Sequence, residues 1–555
     1  MVSLSRWLPF LRWPRPDAAL LRGEVIAAMT VAVVMIPQSV AYAQLAGMPL
    51  VTGLYATFLP MLAAVLFSAS TRLSVGPSAL SSVLVGASMI GMAEPGSAQW
   101  IALAVWLALL AGAAQLAVGL TRSAWTLNLV SSPVLAGFSQ AAAVLIIASQ
   151  LPHLLGLQGP LSSLLHQPRF EMEGLAYGVA CVVLFDLGKR FWPRGPTVLI
   201  VLAATAVISF LTGYASRGSV VGALPAGLPS FYWPALPDWD QLRTLVPPAL
   251  VIALVSSMEM AASAKIESQH DGKRWDANQD LVGQGVGKVV SAFSGSFPTS
   301  TSFSRSAITL YSGAKTGWAT VAASLIVLLV LVALTPALYH VPSAALSAVV
   351  VSAVMGLLKP RVFKVLWGVD RVEAVTAAIT AVVTILSAPR IYWGVLAGVL
   401  LGLAHFLYLR LHPRIVEVGL HPDGSLRDRH LWKLAPIAPQ TYALRMDAEL
   451  DFASASALET AVVEHLAAQP DTKHVCLFAQ PINRVDATGV EVFRALRKLL
   501  ESRGVMLHLI GVKLPVERVL ERAGELQEGP LLRLYRTDAE ALLAFGRFMR
   551  ADEPA

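Results

Sequence analysis

The sequence predicts a polytopic α-helical membrane protein of fourteen spans, followed by a small α/β domain at its C-terminal end. Three observations carry that prediction. Hydrophobic residues make up 55% of the chain and charged residues only 14%, where a soluble protein has roughly a quarter charged. The charge deficit is confined to residues from about 24 to 410, which form apolar runs broken by short polar turns. The stretch from about 413 to 555 has ordinary soluble composition.

A helix crosses a bilayer in about 20 apolar residues, and in fewer where it is interrupted inside the protein. On that ruler the first set of seven spans centres near Ala32, Ala63, Val85, Ala111, Ala142, Val182 and Ala203. The second centres near Val255, Val286, Ala307, Val327, Val350, Val382 and Ala397. With the N-terminus inside, the cytoplasmic connections carry Arg72, Arg122, Lys189, Arg190, Arg194, Lys265, Lys273, Arg274, Lys315, Lys359, Arg361, Lys364 and Arg371. The outside ones carry only Arg169, Arg217, Arg243 and Arg390, which is the positive-inside bias. Both termini are then cytoplasmic, and the expected location is a bacterial inner membrane. The net charge of +7 reflects that bias and does not point to nucleic acid, since no basic patch sits among stacking aromatics.

The lead-in, residues 1–23, is basic, with Trp7, Trp13, Pro9, Pro14 and Pro16 between Ser5 and Arg22. No small-residue cleavage site follows it, so it reads as a cytoplasmic segment lying at the interface. Cys181 and Cys476 fall in a span and in the soluble region, and predict neither a disulfide nor a metal site.

A transporter needs a polar site near mid-membrane, and a helix that starts halfway supplies one through its free N–H groups and positive dipole end. Ser74-Val75-Gly76-Pro77-Ser78-Ala79 in the first half and Ser302-Phe303-Ser304-Arg305-Ser306-Ala307 in the second both read Ser-x-x-x-Ser-Ala before an apolar run. Arg305 lies within the membrane, where a charge is costly unless it faces a cavity or a partner. It is a ligand group, an ion-pair partner of Glu259, or a residue snorkelling from a helix end.

Glu259 is the second intramembrane charge. Desolvation favours its neutral form and a nearby cation its carboxylate, so it can carry a proton through a transport cycle. The alternative is a permanent salt bridge between helices. On the first span Pro37 breaks the hydrogen-bond ladder, and Gln38 and Tyr42, four residues apart, share a face. They can donate to one ligand, or simply satisfy backbone at the kink.

These residues resemble the SulP sulfate permeases and their animal anion-exchanger relatives over nearly the whole chain. The resemblance runs through Ile36-Pro37-Gln38-Ser39, Ala46-Gly47-Met48-Pro49, Gly53-Leu54-Tyr55, Gly76-Pro77-Ser78-Ala79, Glu259 with Ala264-Lys265, Asp276-Ala277-Asn278-Gln279 and Phe303-Ser304-Arg305-Ser306. One departure is Ala69-Ser70-Thr71-Arg72, where the family usually has Gly-Ser/Thr-Ser-Arg. The resemblance implies a 7+7 inverted repeat divided into a core and a gate, elevator-like movement and a homodimer. It implies substrate contacts from Gln38, Tyr42, Ser78, Ala79, Ser304 and Arg305, with Glu259 linked to proton coupling and protons favoured over sodium. A single arginine with two helix ends makes a site loose enough to release a dianion.

Residues 413–440 hold Pro413, Pro422, Gly424, Pro436 and Pro439 and read as a linker. Beyond it come strands at Tyr442–Met446, His474–Phe478 and Val505–Ile510 and helices at Ser454–Ala468, after Gly489, and at Pro515–Arg522. This alternation predicts a small α/β domain over 441–555. Asp486-Ala487-Thr488-Gly489 resembles the loop of STAS domains, which among anti-sigma-factor antagonists is phosphorylated at the position of Thr488; a plain helix cap, for which Asp and Thr here suffice, is the favoured alternative. The expected role is regulatory and dimer-supporting.

The expected function is proton-coupled symport of sulfate or a related small inorganic anion, with bicarbonate or a C4-dicarboxylate open as substrate. A passive anion channel and a membrane-anchored sensor are the other classes. No catalytic constellation, cofactor or metal is expected, and the partners are the anion, the proton and membrane lipid.

Overall fold

The computed structural model describes residues 7–157, 170–192, 196–527 and 529–551. Ser5, Arg169 and Arg194 lie outside the described residues, as does the side chain of Lys189. The contacts divide the chain into two units, Met1–Gly402 and Leu403–Ala555.

The first half of the larger unit runs α1 (Ala18–Leu45), α2 (Val51–Phe67), a short strand β1 (Val75–Gly76), α3 (Ala79–Met89), α4 (Ala98–Leu120), α5 (Ser132–Leu154), α6 (Met172–Phe191) and α7 (Thr197–Thr212). The second half repeats the order with α8 (Trp239–Asp271), α9 (Ala277–Phe293), β2 (Ser300–Thr301), α10 (Phe303–Tyr311), α11 (Trp318–Leu329), α12 (Ser343–Met355), α13 (Arg361–Val369), α14 (Arg371–Leu386) and α15 (Tyr392–Leu411). Every predicted centre falls on a helix, one to a span. The short α13 occupies what reads as a loop. α1 begins six residues earlier than the 24 expected, because Asp17 caps it by accepting the Leu20 N–H at 2.7 Å.

The packing pairs come in two inverted copies. α4 lies on α9 as α11 lies on α2; α3 meets α8 as α10 meets α1; α5 meets α14 as α12 meets α6. The helices α1–α4 and α8–α11 therefore form one bundle, and α5–α7 with α12–α15 another. These are the core and the gate. Close approach within the core depends on small residues: a Cβ at Gly53 of α2 would sit 2.0 Å from the Ser39 carbonyl oxygen of α1.

The smaller unit holds a six-stranded sheet in the order β4-β3-β5-β6-β7-β8. Its strands are β3 (Ile415–Leu420), β4 (Leu426–Asp428), β5 (Thr441–Met446), β6 (His474–Phe478), β7 (Met506–Ile510) and β8 (Leu532–Tyr535). β5 to β8 are parallel, and β3 joins antiparallel to both β5 and β4. A one-turn helix α16 (Arg429–Trp432) follows β4; α17 (Ala455–Ala468), α18 (Ala487–Ser502), α19 (Leu514–Arg522) and α20 (Asp538–Ala551) complete the unit. One sheet face packs on α17, α18 and α19, and the other places Val416, Val418, Cys476 and Phe478 against Ala541 and Phe545 of α20.

Two expectations are corrected here. The segment read as a linker contains β3 and β4, because Val416 and Val418 alternate onto a buried face while the prolines and Gly424 stay in the turns. The helix expected after Gly489 begins at Ala487, capped by Asp486.

Candidate functional site

The two interrupted segments meet. β1 pairs antiparallel with β2, Val75 opposite Thr301 and Gly76 opposite Ser300. Each strand then runs through a serine N-cap, Ser78 or Ser302, into a short helix, α3 or α10. Because the ladder is antiparallel, α3 and α10 leave it at opposite ends and in opposite directions, so their N-terminal N–H groups and positive dipole ends oppose one another across it. The structural counterpart of Ser78 is Ser302, so the Ser-x-x-x-Ser-Ala alignment is out of register by four residues. The two serines it would have equated with their copies are instead in contact: the Ser74 N–H donates to Ser306 Oγ at 2.9 Å.

Arg305 occupies the first turn of α10 and is fully buried. Its Nε donates to Ser74 Oγ at 3.2 Å and its Nη2 to the Pro77 carbonyl at 2.9 Å, both groups of the opposite half. Gly76 leaves room for it, since a Cβ there would lie 3.4 Å from Nη2 and 2.8 Å from Thr57 Cγ2. Nη1 is buried and has no hydrogen-bond partner among the described residues. Among the described residues no carboxylate forms an ion pair with Arg305, so the structural salt bridge to Glu259 does not form. A buried guanidinium without a counter-ion is costly, and an anion is what would offset it.

Glu259, on α8 and half-buried, accepts hydrogen bonds through Oε2 from Ser78 Oγ at 3.1 Å and from Ser300 Oγ. One donor is the cap of α3 and the other lies on β2, so the carboxylate ties the ladder to α8. On α1, Gln38 and Tyr42 are buried, and Gln38 Oε1 has no hydrogen-bond partner among the described residues. Ala79 is the first residue of α3 and is buried. Ser304 is exposed in the first turn of α10 and contacts only Ser302 Oγ, at 3.4 Å, among the described hydrogen bonds. Ser78, Glu259 and Arg305 thus meet at the ladder; Gln38 and Tyr42 lie on α1, which packs on both α3 and α10, and Ser304 is exposed.

Sequence reasoning missed a second buried cation. Lys288 of α9 is fully buried, and its Nζ donates to Gln115 Oε1 of α4 at 2.8 Å. The amide of Gln115 is itself committed to α8, to the Ala253 carbonyl and the hydroxyls of Ser256 and Ser257. The signal was available, for Lys288 stands two residues from the centre expected for the ninth span. Arg72, read as a loop charge, is also buried: it pairs with Glu267 at 3.6 Å and with Asp271, while Asp280 accepts from the Ser70 N–H and hydroxyl. These groups lock the connection between α2 and β1 onto α8 and α9.

In the smaller unit Thr488 is exposed in the first turn of α18, beside Asp486. The Asp486 carboxylate accepts the Gly489 N–H at 2.9 Å and the Phe452 N–H at 3.0 Å, and the bond from Gly489 foremost holds it below the usual carboxylate range. The helix-cap explanation of this loop is met in full by Asp486.

A family model described as the sulfate permease family matches residues 21–380. The chain belongs to that family. A second model, the STAS domain, matches 433–541. Among curated relatives of this permease, a probable sulfate transporter of Mycobacterium tuberculosis is 30% identical over 541 residues, covering 95% of this chain and 96% of that protein. The chloroplastic sulfate transporter 4.1 of Arabidopsis thaliana is 28% identical and covers 94% of this chain and 79% of that one. The murine Solute Carrier 26 family member A9 anion transporter, solved in the inward-facing state, superposes with a TM-score of 0.87 at 20% identity, covering 98% and 94% of the two chains. The transmembrane domain of the cyanobacterial bicarbonate transporter BicA gives 0.59 at 21% identity over 69% of this chain and 98% of its own. At those identities the superpositions speak to the fold, and they agree with an integral membrane permease carrying a STAS domain.

Proposed function

We propose that this permease is a proton-coupled symporter of an inorganic dianion, sulfate foremost. The observation that carries the reading is Arg305, buried between two helix starts with Nη1 unspent and no carboxylate paired to it. Sulfate gives up its water only where fixed donors replace it, and the N–H groups at the starts of α3 and α10 do so without a full countercharge. In this reading the ligands are Arg305, the backbone at Ser78 and Ala79, and Gln38 and Tyr42 from α1, with Ser304 closing from the exposed side. Glu259 takes up the proton, which weakens its hold on Ser78 and Ser300 as the site loads. The sulfate transporters among its relatives support the choice of anion.

The division into two bundles supports an elevator-like cycle in which the core moves against the gate. The same reading places the permease in a bacterial inner membrane with both termini cytoplasmic, as a homodimer supported by a regulatory STAS domain.

Radiolabelled sulfate uptake into proteoliposomes tests it, with an inward proton gradient, a sodium gradient, or neither. Uptake should require the proton gradient and resist bicarbonate, succinate, fumarate and chloride as competitors. Glu259→Gln should abolish accumulation driven by the proton gradient while leaving sulfate binding within about threefold, because it keeps the size and polarity of the side chain but has no proton to give. Full proton-driven uptake by that variant would remove Glu259 from the coupling.

A further inference from the structure

Helix α13 connects two spans of the gate, α12 and α14, yet cannot itself be one. Its nine residues, Arg361–Val369, extend about 14 Å, under half the hydrocarbon thickness of a bilayer. Both of its ends are fixed to the gate. Before it, the Gln140 side chain of α5 donates to the Leu357 carbonyl at 2.8 Å and accepts the Lys359 N–H at 2.6 Å. After it, the Asp370 N–H donates to the Leu366 carbonyl at 2.8 Å. The Asp370 carboxylate caps α14 by accepting the Val372 and Glu373 N–H groups.

Six of the nine residues are apolar: Val362, Phe363, Val365, Leu366, Trp367 and Val369. At about 100° per residue they cover an arc of about 200°, and Arg361, Lys364 and Gly368 fill the rest. None of the nine is buried, and Val365, Trp367 and Val369 are 63%, 54% and 79% exposed. The apolar arc is therefore not covered by the chain. A short connection between two spans lies at the membrane edge, where an amphipathic helix sinks its apolar face into the acyl boundary and keeps its polar face among the headgroups. That polar side is positive. Lys359, Arg361, Lys364 and Arg371 are exposed, and none of them forms a salt bridge among the described residues. The Arg371 guanidinium lies over the Trp367 ring at 5.9 Å. The acids beside them are Asp370, spent on the α14 cap, and half-buried Glu373. α12 carries no ionisable side chain, and α5 carries only His153, near its opposite end.

We infer that α13 is an interfacial anchor that binds the headgroups of anionic phospholipids through Lys359, Arg361, Lys364 and Arg371 and holds the gate at that leaflet. A bias toward positive loops alone requires neither a helix nor an apolar arc. A basic rim on an apolar helix at the membrane edge is what a negatively charged lipid surface attracts. Neutral lipid would satisfy the apolar arc and leave four cations without partners.

Lipid-selective quenching tests it without reference to transport. Val365→Cys is built in a background lacking Cys181 and Cys476 and labelled with bimane. The full-length permease is then placed in nanodiscs of mixed phosphatidylcholine and phosphatidylglycerol. The mixture stays the same throughout, and a nitroxide near the head of the acyl chain is carried by one lipid or by the other. Quenching by labelled phosphatidylglycerol should exceed quenching by labelled phosphatidylcholine about twofold or more. At Val207→Cys, an exposed position on α7, which has no ionisable side chain, the two should agree within about a quarter. High salt should close the gap at position 365, since the Debye length falls to about 3 Å at 1 M. Lys359→Gln, Arg361→Gln and Lys364→Gln together should bring the ratio to about one, while the quenching itself persists through the apolar arc. Equal quenching by the two lipids in the protein that keeps its basic residues overturns the headgroup site. A probe that neither lipid quenches lies in water or against a polypeptide, a second copy of the chain included, and overturns the anchor altogether.

Discussion

Arg305 shows how one side chain holds two halves of the chain together and still has capacity for a ligand. Its Nε and Nη2 are spent on Ser74 and Pro77, and Nη1 has no hydrogen-bond partner among the described residues. A lysine carries the charge but presents it at one point, so it cannot serve both protein acceptors and an anion. Arg305→Lys is therefore expected to leave a folded permease whose apparent sulfate affinity falls about 10- to 100-fold, the loss of one charge-assisted hydrogen bond. Uptake kinetics against sulfate concentration check this; an unchanged half-saturation would place the anion elsewhere. Arg305 and Glu259 were legible in the sequence because a charge within an apolar run is conspicuous. Lys288 gives the same signal, two residues from the centre expected for the ninth span. The burial of Arg72 was not legible at all, because its partners Glu267 and Asp271 lie almost 200 residues further along the chain.

At the scale of elements, long apolar helices and strands bounded by turn residues could be read directly, and those whose identity depends on a distant partner could not. β1 and β2 are two residues each and exist only because they pair. β3 and β4 were hidden by five turn-forming residues around them. In the smaller unit β6 and β7 were legible from alternation, but what they bring together was not: His474 Nδ1 and His508 Nε2 stand 3.0 Å apart across the two strands. His508 is fully buried against Phe545 and Tyr535, and burial, then the charges of His474 and Arg533, push it down to about 4. In the unfolded chain a histidine titrates near 6.5, so between those values the unfolded state binds the extra proton. The resulting stability is complete above about pH 6.5 and is lost as the pH falls toward 4, at no more than about 1.4 kcal/mol per unit. Hydrogen exchange of peptides covering β6 and β7 in the full-length protein, corrected for intrinsic rate, should show protection about ten- to thirtyfold lower at pH 5 than at pH 7. His508→Gln, which does not titrate, should reduce that drop to threefold or less. An equal drop in both proteins would assign the pH sensitivity to another group.

For the whole molecule, the reciprocal packing pairs separate the contacts inside each bundle from those between the two bundles. Inside the core α2 and α9 are in close contact, with Ala64 Cβ 3.1 Å from the position of a Cβ on Gly287. The contacts between core and gate are fewer and run through α1 against α12 and α7, and α3 against α5. If the core moves as one body, a covalent link inside it costs nothing in transport, whereas a link across the boundary stops the cycle. Cysteine pairs built in a background lacking Cys181 and Cys476 separate the two cases. A disulfide between positions 64 and 287 should leave sulfate uptake within about twofold of the reduced protein. One between facing positions of α1 and α12 should reduce uptake at least tenfold, with recovery on adding reductant. Equal inhibition by both links would mean that the core flexes internally during transport. Transport that persists across the α1–α12 link would mean that the two bundles do not move against each other, and the anion would then have to reach both sides of the membrane through a site that stays in place.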